Sequence, residues 1–146
     1  MGSFQRELSK TVKVTMVLAG AATGSSALLT AALDMAGFEG VIFFGRFLTA
    51  NAGNFASVSQ SATSGGSYAA LADTKVIPGD NGDSFMIDIK RPPSAKPFLK
   101  VNIVRAGADT VTGDVYAVQY GSRKSNPGHG ATIDAETHVD PVEGSI

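Results

Sequence analysis

Two histidines, His129 and His138, are the residues best suited to acid–base catalysis or metal binding in this chain. Asp134 and Glu136 lie between them, and imidazole and carboxylate groups are ordinary zinc ligands. However, the histidines are nine positions apart in a segment rich in Gly and Pro. A zinc site usually has tighter spacing, and a catalytic base must be held rigidly. We therefore predict solvated histidines, with no catalytic residue, no metal site and no cofactor.

The segment Asp80, Asn81, Gly82 and Asp83 resembles part of a calcium-binding loop. A complete loop also has a downstream bidentate glutamate and a fixed ligand spacing, and this segment has neither. Asx–Gly sequences between strands commonly form tight turns. We therefore interpret residues 79–83 as a turn.

Five basic residues lie in one window that contains no acidic residue: Lys90, Arg91, Lys96, Lys100 and Arg105. If the flanking strands paired as a hairpin across residues 92–97, these charges would gather near one sheet edge. Two interpretations stay open, a solvated edge that resists aggregation and a docking patch for an acidic protein surface. Nucleic acid is not an expected partner, because the net charge is −1 and no global field attracts a polyanion.

Alternating apolar and polar residues predict about seven short strands and no long helix. The predicted strands are residues 11–18, 41–48, 54–61, 84–91, 98–105 and 114–121, with residues 27–35 as a strand or a short helix. Such strands, separated by turn residues, are typical of an all-β domain. This pattern favours a β-sandwich, a jelly roll or a barrel, with extended terminal arms. Residues 1–26 form an N-terminal strand or arm, residues 27–122 form the core together with strand 11–18, and residues 123–146 form a tail.

Individual strands carry more specific predictions. In residues 84–91, Phe85, Ile87 and Ile89 are expected to face inward. The apolar run at residues 41–48 predicts a strand that is buried on both faces or covered on one face by a partner. Tyr116 and Tyr120 are expected to be buried on one face of the last strand.

The composition limits the class of protein. The chain has 146 residues, of which 43 % are apolar and 17 % are charged, and it has no cysteine. This length suits one domain, and the absence of cysteine excludes disulfides and Cys-type zinc sites. No stretch approaches the about 18 apolar residues of a membrane span, so a membrane is not an expected partner. The short apolar run at residues 16–22 is interpreted as part of a strand and not as a signal peptide.

The character of the chain changes at Arg123 and Lys124. The following segment is rich in Pro and Gly, and its apolar residues, among them Ile133 and Val142, are isolated. Such a tail cannot bury enough apolar surface by itself. We predict that it is disordered alone or ordered by a neighbour.

Three segments resemble one family. Residues 33–43, Leu-Asp-Met-Ala-Gly-Phe-Glu-Gly-Val-Ile-Phe, resemble the opening of small head proteins of tailed bacteriophages. Residues 118–124 resemble the last core strand of those proteins, and the tail, with His138, Pro141 and Gly144, is similar to their extended C-terminus. The resemblance covers most of the chain from about residue 27 and consists of short segments.

These head proteins are decoration, or cement, proteins. The resemblance implies a jelly-roll β-sandwich that binds the outer surface of the major capsid protein shell and ties neighbouring subunits together. It also implies assembly with itself as a homodimer or homotrimer, and neither enzymatic activity nor a cofactor. The candidate capsid contacts lie in and beside the tail: Arg123, Lys124, Ile133, His138, Val139, Pro141 and Val142.

Other functions stay open. A tail or baseplate β-sandwich of a phage would share the predicted fold. A carbohydrate-binding module is disfavoured, because Trp is absent and the predicted burial of Tyr116 and Tyr120 leaves only Tyr68 for stacking on a sugar. An enzyme is the least favoured class, because no acid, base or nucleophile is predicted to be rigidly placed.

Overall fold

A computed structural model of the chain describes residues 8–90, 95–105, 109–123, 127–138 and 142–144. In these residues the chain is nearly all β-structure, which confirms the predicted class. One helical turn, α1, spans Leu8–Thr11. The strands are β1 Lys13–Leu18, β2 Ala21–Gly24, β3 Leu28–Leu29, β4 Leu33–Asp34, β5 Gly40–Arg46, β6 Asn54–Ser61, β7 Ala69–Ala70, β8 Ser84–Lys90, β9 Phe98–Arg105, β10 Thr110–Thr112 and β11 Val115–Tyr120.

The strands form two larger antiparallel sheets and one small ribbon. Sheet 1 has the order β1-β11-β5-β8, and sheet 2 has the order β3-β9-β6-β7, with β4 also paired to β9. The ribbon pairs β2 with β10. The chain crosses repeatedly between the two sheets, so most strand pairs join segments that are distant in sequence.

One hydrophobic core joins the inner faces of the two sheets. Phe43 and Val115 of sheet 1 and Leu99 and Val101 of sheet 2 belong to the same buried cluster, and each is at most 1 % exposed. This burial is the main stabilising term of the fold, since removing apolar surface from water is the dominant driving force. The arrangement is consistent with a β-sandwich, and the jelly-roll path stays a prediction.

The alternation in β8 is confirmed. Phe85 and Ile87 are buried, Ile89 packs against the core, and Met86 faces outward with 66 % of its surface exposed. Residues 27–35 contain two short strands and no helix.

The prediction that Tyr116 and Tyr120 are buried is wrong. In β11 the buried residues are Val115, Ala117 and Gln119, and the two tyrosines lie half-exposed on the outer face of sheet 1. Both faces of this strand carry apolar residues, so alternation alone does not say which face is inward. Pairing with β5 decides it, because Ala117 lies opposite the fully buried Phe43.

Strands 84–91 and 98–105 do not pair with each other, so the hairpin considered across residues 92–97 is also wrong. Strand β8 pairs with β5 in sheet 1, whereas β9 pairs with β6 in sheet 2. Lys90 therefore lies opposite Gly40, and Lys100 lies opposite Ser59 in the other sheet. The basic residues of this window do not share one edge.

Candidate interaction surfaces

The first part of the tail lies along the free edge of β1. The Val14 amide donates to Nδ1 of His129 at 2.9 Å, and the Gly130 amide donates to the Val14 carbonyl at 2.8 Å. Since β1 is the end strand of sheet 1, these bonds satisfy backbone groups that would otherwise invite pairing with another chain. His129 is therefore docked and half-buried, and its predicted full solvation is wrong.

Beyond this docked part most described residues of the tail are exposed. Ile133 is half-buried, while Nε2 of His138 lies 3.0 Å from Oε2 of Glu136 and both of these side chains are exposed. Val142 is 94 % exposed. No group of three metal-ligating residues occurs in the described ranges. The predicted contact residues Lys124, Val139 and Pro141, and Arg91 of the basic window, lie outside those ranges.

Residues 79–83 form a turn, as predicted. Oδ2 of Asp83 accepts from the amides of Gly79 and Asp80, at 3.1 and 2.9 Å. Oδ1 of Asn81 accepts from the Ala50 amide at 2.7 Å, which ties this turn to the loop after β5. These side-chain oxygens stabilise the loop backbone, which is the usual work of Asx residues in turns.

The candidate basic docking patch separates into different environments. Lys90 and Lys96 are exposed, and the Lys100 ammonium lies 4.6 Å from the centre of the Tyr68 ring. Arg105 does not belong to a docking patch, because it is only 5 % exposed. A signal for its burial exists in the sequence: Arg105 continues the alternation of Leu99, Val101 and Ile103 on the core face.

Backbone carbonyls hold the buried Arg105 guanidinium. Nε donates to Ser26 O at 2.8 Å, and Nη1 donates to Ala22 O at 2.9 Å and Thr110 O at 3.1 Å. A Cβ at Gly24 would lie 2.8 Å from Nη2, so a larger residue there would displace the guanidinium. Arg105 therefore fastens the β2–β10 ribbon to sheet 2, and its role is structural.

A cavity of about 490 Å³ lies where the tail leaves the sandwich. Its lining residues are Lys13, Ala36, Gly37, Phe38, Ser122, Arg123 and Pro127. The Arg123 amide donates to the Gly37 carbonyl at 2.9 Å, which fixes the chain at the mouth of this cavity. Of the predicted contact residues, Arg123 lines the cavity, and Lys13 adds a second basic side chain to the lining.

Sheet 1 has an apolar outer face, of which the sequence indicated only the part in residues 41–48. Register places Val14, Val118 and Ile42 in one row across three strands. A second row across the sheet contains Met16, Tyr116, Phe44 and Met86. We call these seven residues the apolar face. Its aromatic centre is a stacked pair, with the Phe44 and Tyr116 rings 5.5 Å apart.

On the same outer face of sheet 1, Tyr120 of β11 is hydrogen-bonded to Asp88 of β8. A Cβ at Gly40 would lie 2.3 Å from the Tyr120 ring, so only glycine lets that ring lie across β5. The Tyr120 hydroxyl thereby reaches β8 and donates to Oδ1 of Asp88 at 2.7 Å. This hydrogen bond, with burial and the nearby carboxylates of Asp88 and Glu39, raises the pKa of Tyr120 to about 12.

The raised pKa of Tyr120 predicts an alkaline loss of stability. The folded state favours the neutral phenol, so the Tyr120–Asp88 contribution is fully present below the unfolded pKa of about 10. It is lost as pH rises towards the folded pKa of about 12. We expect the difference in unfolding free energy between the wild type and Tyr120→Phe to be constant below about pH 10 and to shrink above it.

Urea unfolding at several pH values measures this difference, with Tyr116→Phe as the control that leaves the Asp88 bond intact. A difference that stays constant across the alkaline range would contradict the assignment.

No helix among the described residues is both long and apolar enough to cross a bilayer.

No known protein family matches the chain, and no curated protein or solved structure is detectably similar to it.

Proposed function

We propose that this chain is a virion decoration protein that binds the outer surface of the major capsid shell and stabilises the junctions between capsid subunits. The observation that carries the proposal is the two-part tail. His129 and Gly130 hold its first part on β1, while Val142 in its far part is 94 % exposed. An exposed apolar residue in a segment without a core of its own is typical of a strap that orders on a partner.

The docked part of the tail lowers the conformational entropy that the strap loses when it binds the capsid. Contacts at His129 and Gly130, and the bond from the Ile133 amide to the Gly130 carbonyl at 3.0 Å, already order the start of the strap. The Ser9 and Thr137 hydroxyls, 2.5 Å apart, hold it again next to α1. Val142 lies beyond these contacts, so ordering this residue on the capsid is part of the entropic cost that remains.

The sandwich provides a rigid body for this strap. A protein that binds the assembled lattice, and not the separate subunits, stabilises the lattice by mass action. An oligomer that holds two or three capsid subunits gains effective concentration without new kinds of contact. The resemblance of residues 33–43 and 118–124 to phage decoration proteins supports the same function, and with it a jelly-roll path for the strands.

Truncation after His138 tests the strap. We expect the protein without residues 139–146 to keep its melting temperature within about 2 °C, since Val142 buries almost none of its surface on the sandwich. We expect saturable binding to expanded, decoration-free heads to be abolished. Co-sedimentation with such heads and thermal melting measure the two properties.

A matched pair of point variants locates the contact. Val142→Asp is expected to weaken binding to heads more than about tenfold, because a charge would enter an apolar contact. Ile77→Asp, at a residue that is 65 % exposed on a loop of the sandwich, is expected to bind as the wild type does. Saturation of heads by the truncated chain would refute the strap. Labelled protein found on tails in negative-stain images would favour the tail or baseplate function.

A further inference from the structure

The docked part of the tail depends on a histidine that accepts a hydrogen bond. The Val14 amide donates to Nδ1 of His129 at 2.9 Å, so this ring nitrogen carries no proton in the docked state. In a neutral imidazole one nitrogen accepts and the other carries the proton, whereas in the imidazolium both nitrogens are donors. A protonated His129 therefore cannot accept from Val14, and two N–H groups would point at each other.

We propose that His129 makes the docking of the tail pH-sensitive: the neutral ring holds the first part of the tail on β1, and protonation of the ring releases it. Histidine is the side chain that ordinarily changes charge between about pH 5 and 8. The inference goes beyond capsid binding, because it concerns the free chain in solution. Release returns the amide and carbonyl of Val14, on the edge of sheet 1, to the solvent.

The contacts beside His129 explain why this one hydrogen bond controls the docking. Gly130, the next residue, donates its amide to the Val14 carbonyl at 2.8 Å. A Cβ at Gly130 would lie 3.1 Å from Cγ2 of Thr15, so the tail backbone lies close against β1. Both backbone groups of Val14 are thus bonded to adjacent tail residues, and a ring that leaves the Val14 amide moves Gly130 with it. The bond from the Ile133 amide to the Gly130 carbonyl lies within the tail and does not hold it on β1.

The charged groups around His129 do not compensate a protonated ring. Among the described residues, no carboxylate forms an ion pair with His129. The ionisable residues of the neighbouring elements are Lys10 of α1, Lys13 of β1, Tyr116 and Tyr120 of β11, and Asp134, Glu136 and His138 of the tail. Lys13 directly precedes Val14, and Arg123 lines the same cavity as Lys13 and Pro127. Neither of these cations can accept a hydrogen bond from an imidazolium, while Asp134 is exposed and the carboxylate of Glu136 lies against His138.

Amide hydrogen exchange of the full chain, measured by NMR without capsids, tests the proposal. Protection factors are used, because they remove the pH dependence of the exchange chemistry itself. We expect the protection factor of the Val14 amide to fall at least about tenfold between about pH 7.5 and about pH 5, since its acceptor is lost. The Val101 amide, which donates to the Thr30 hydroxyl in the core, is expected to stay protected and to show that the sandwich remains folded.

Two matched variants separate the histidines. In His129→Asn, Oδ1 of the asparagine takes the position of Nδ1 and accepts a hydrogen bond without titrating. We expect the Val14 protection factor of this variant to be the same at both pH values. His138→Asn is the control, because the His138 ring is exposed and lies against Glu136. We expect it to keep the pH dependence of the wild type.

Nitrogen NMR of the imidazole rings gives a second measurement that needs no substitution. We expect the proton of the neutral His129 ring to lie on Nε2, and the Val14 protection factor to fall as the ring gains its second proton. A neutral ring with its proton on Nδ1, or equal Val14 protection at both pH values in the wild type, would overturn the proposal. So would a His129→Asn chain that loses protection in acid as the wild type does, or a His138→Asn chain that does not.

Discussion

Replacing Arg105 with methionine is expected to lower the free energy of unfolding by about 2–4 kcal/mol. The substitution keeps most of the apolar volume but removes the donors to the carbonyls of Ala22, Ser26 and Thr110. Each buried carbonyl left without a donor costs about 1–3 kcal/mol, and water reaches some of these groups at the loop, which reduces the sum. The loss is expected to free the β2–β10 ribbon first, because Arg105 ties it to sheet 2.

Lys96→Met is the control for Arg105→Met, since it removes the same charge from an exposed site. We expect it to change the unfolding free energy by no more than about 0.5 kcal/mol. Urea denaturation followed by circular dichroism measures both variants, and amide hydrogen exchange shows whether the ribbon opens first. An Arg105→Met protein as stable as Lys96→Met would show that the guanidinium does not hold the ribbon.

Phe43→Ala is expected to destabilise the monomer by about 3–5 kcal/mol, whereas Phe44→Ala is expected to cost about 1 kcal/mol. The two residues are neighbours in β5 and lose the same atoms. Phe43 is 0 % exposed between the sheets, so its removal leaves a cavity in the core. Phe44 is 38 % exposed on the apolar face and loses chiefly its stacking on Tyr116.

Chemical denaturation of the two variants, at the same low protein concentration, measures both costs. Equal costs for the two variants would mean that the faces of β5 are wrongly assigned.

Local sequence patterns predicted the secondary structure well because they report local physics. The long strands β5, β6, β8 and β9 lie within one or two residues of their predicted positions. In β8 the charged residues Asp88 and Lys90 mark the outward face, and there the predicted inward face is also correct. The turn at residues 79–83 follows from Asx side chains that bond to nearby amides, again a local effect.

The faces of β11 could not be predicted in this way. Tyr116 and Val118 on one face, and Val115 and Ala117 on the other, are all compatible with burial. Which set lies in the core depends on the registers with β1 and β5, which are 70 or more residues distant in sequence.

The candidate interaction surfaces were also only partly predictable from local sequence. The tail could be recognised from composition alone. Its apolar residues are isolated and too few to form a core, and this is visible within a single segment. The docking of His129 on β1 and the separation of Lys90 from Lys100 could not be recognised from local sequence. The basic residues were grouped because they are close in sequence, but Lys90 lies in sheet 1 and Lys100 lies in sheet 2.

The sequence by itself determined that this chain forms short strands with polar turns and a tail of different composition, because alternation and turn chemistry act over a few residues. The tertiary structure alone decided which strands are neighbours, which face of each strand meets the core, and which apolar residues stay exposed. The physical reason is that strand register is set by contacts between distant segments, and a strand with two apolar faces satisfies the local pattern either way.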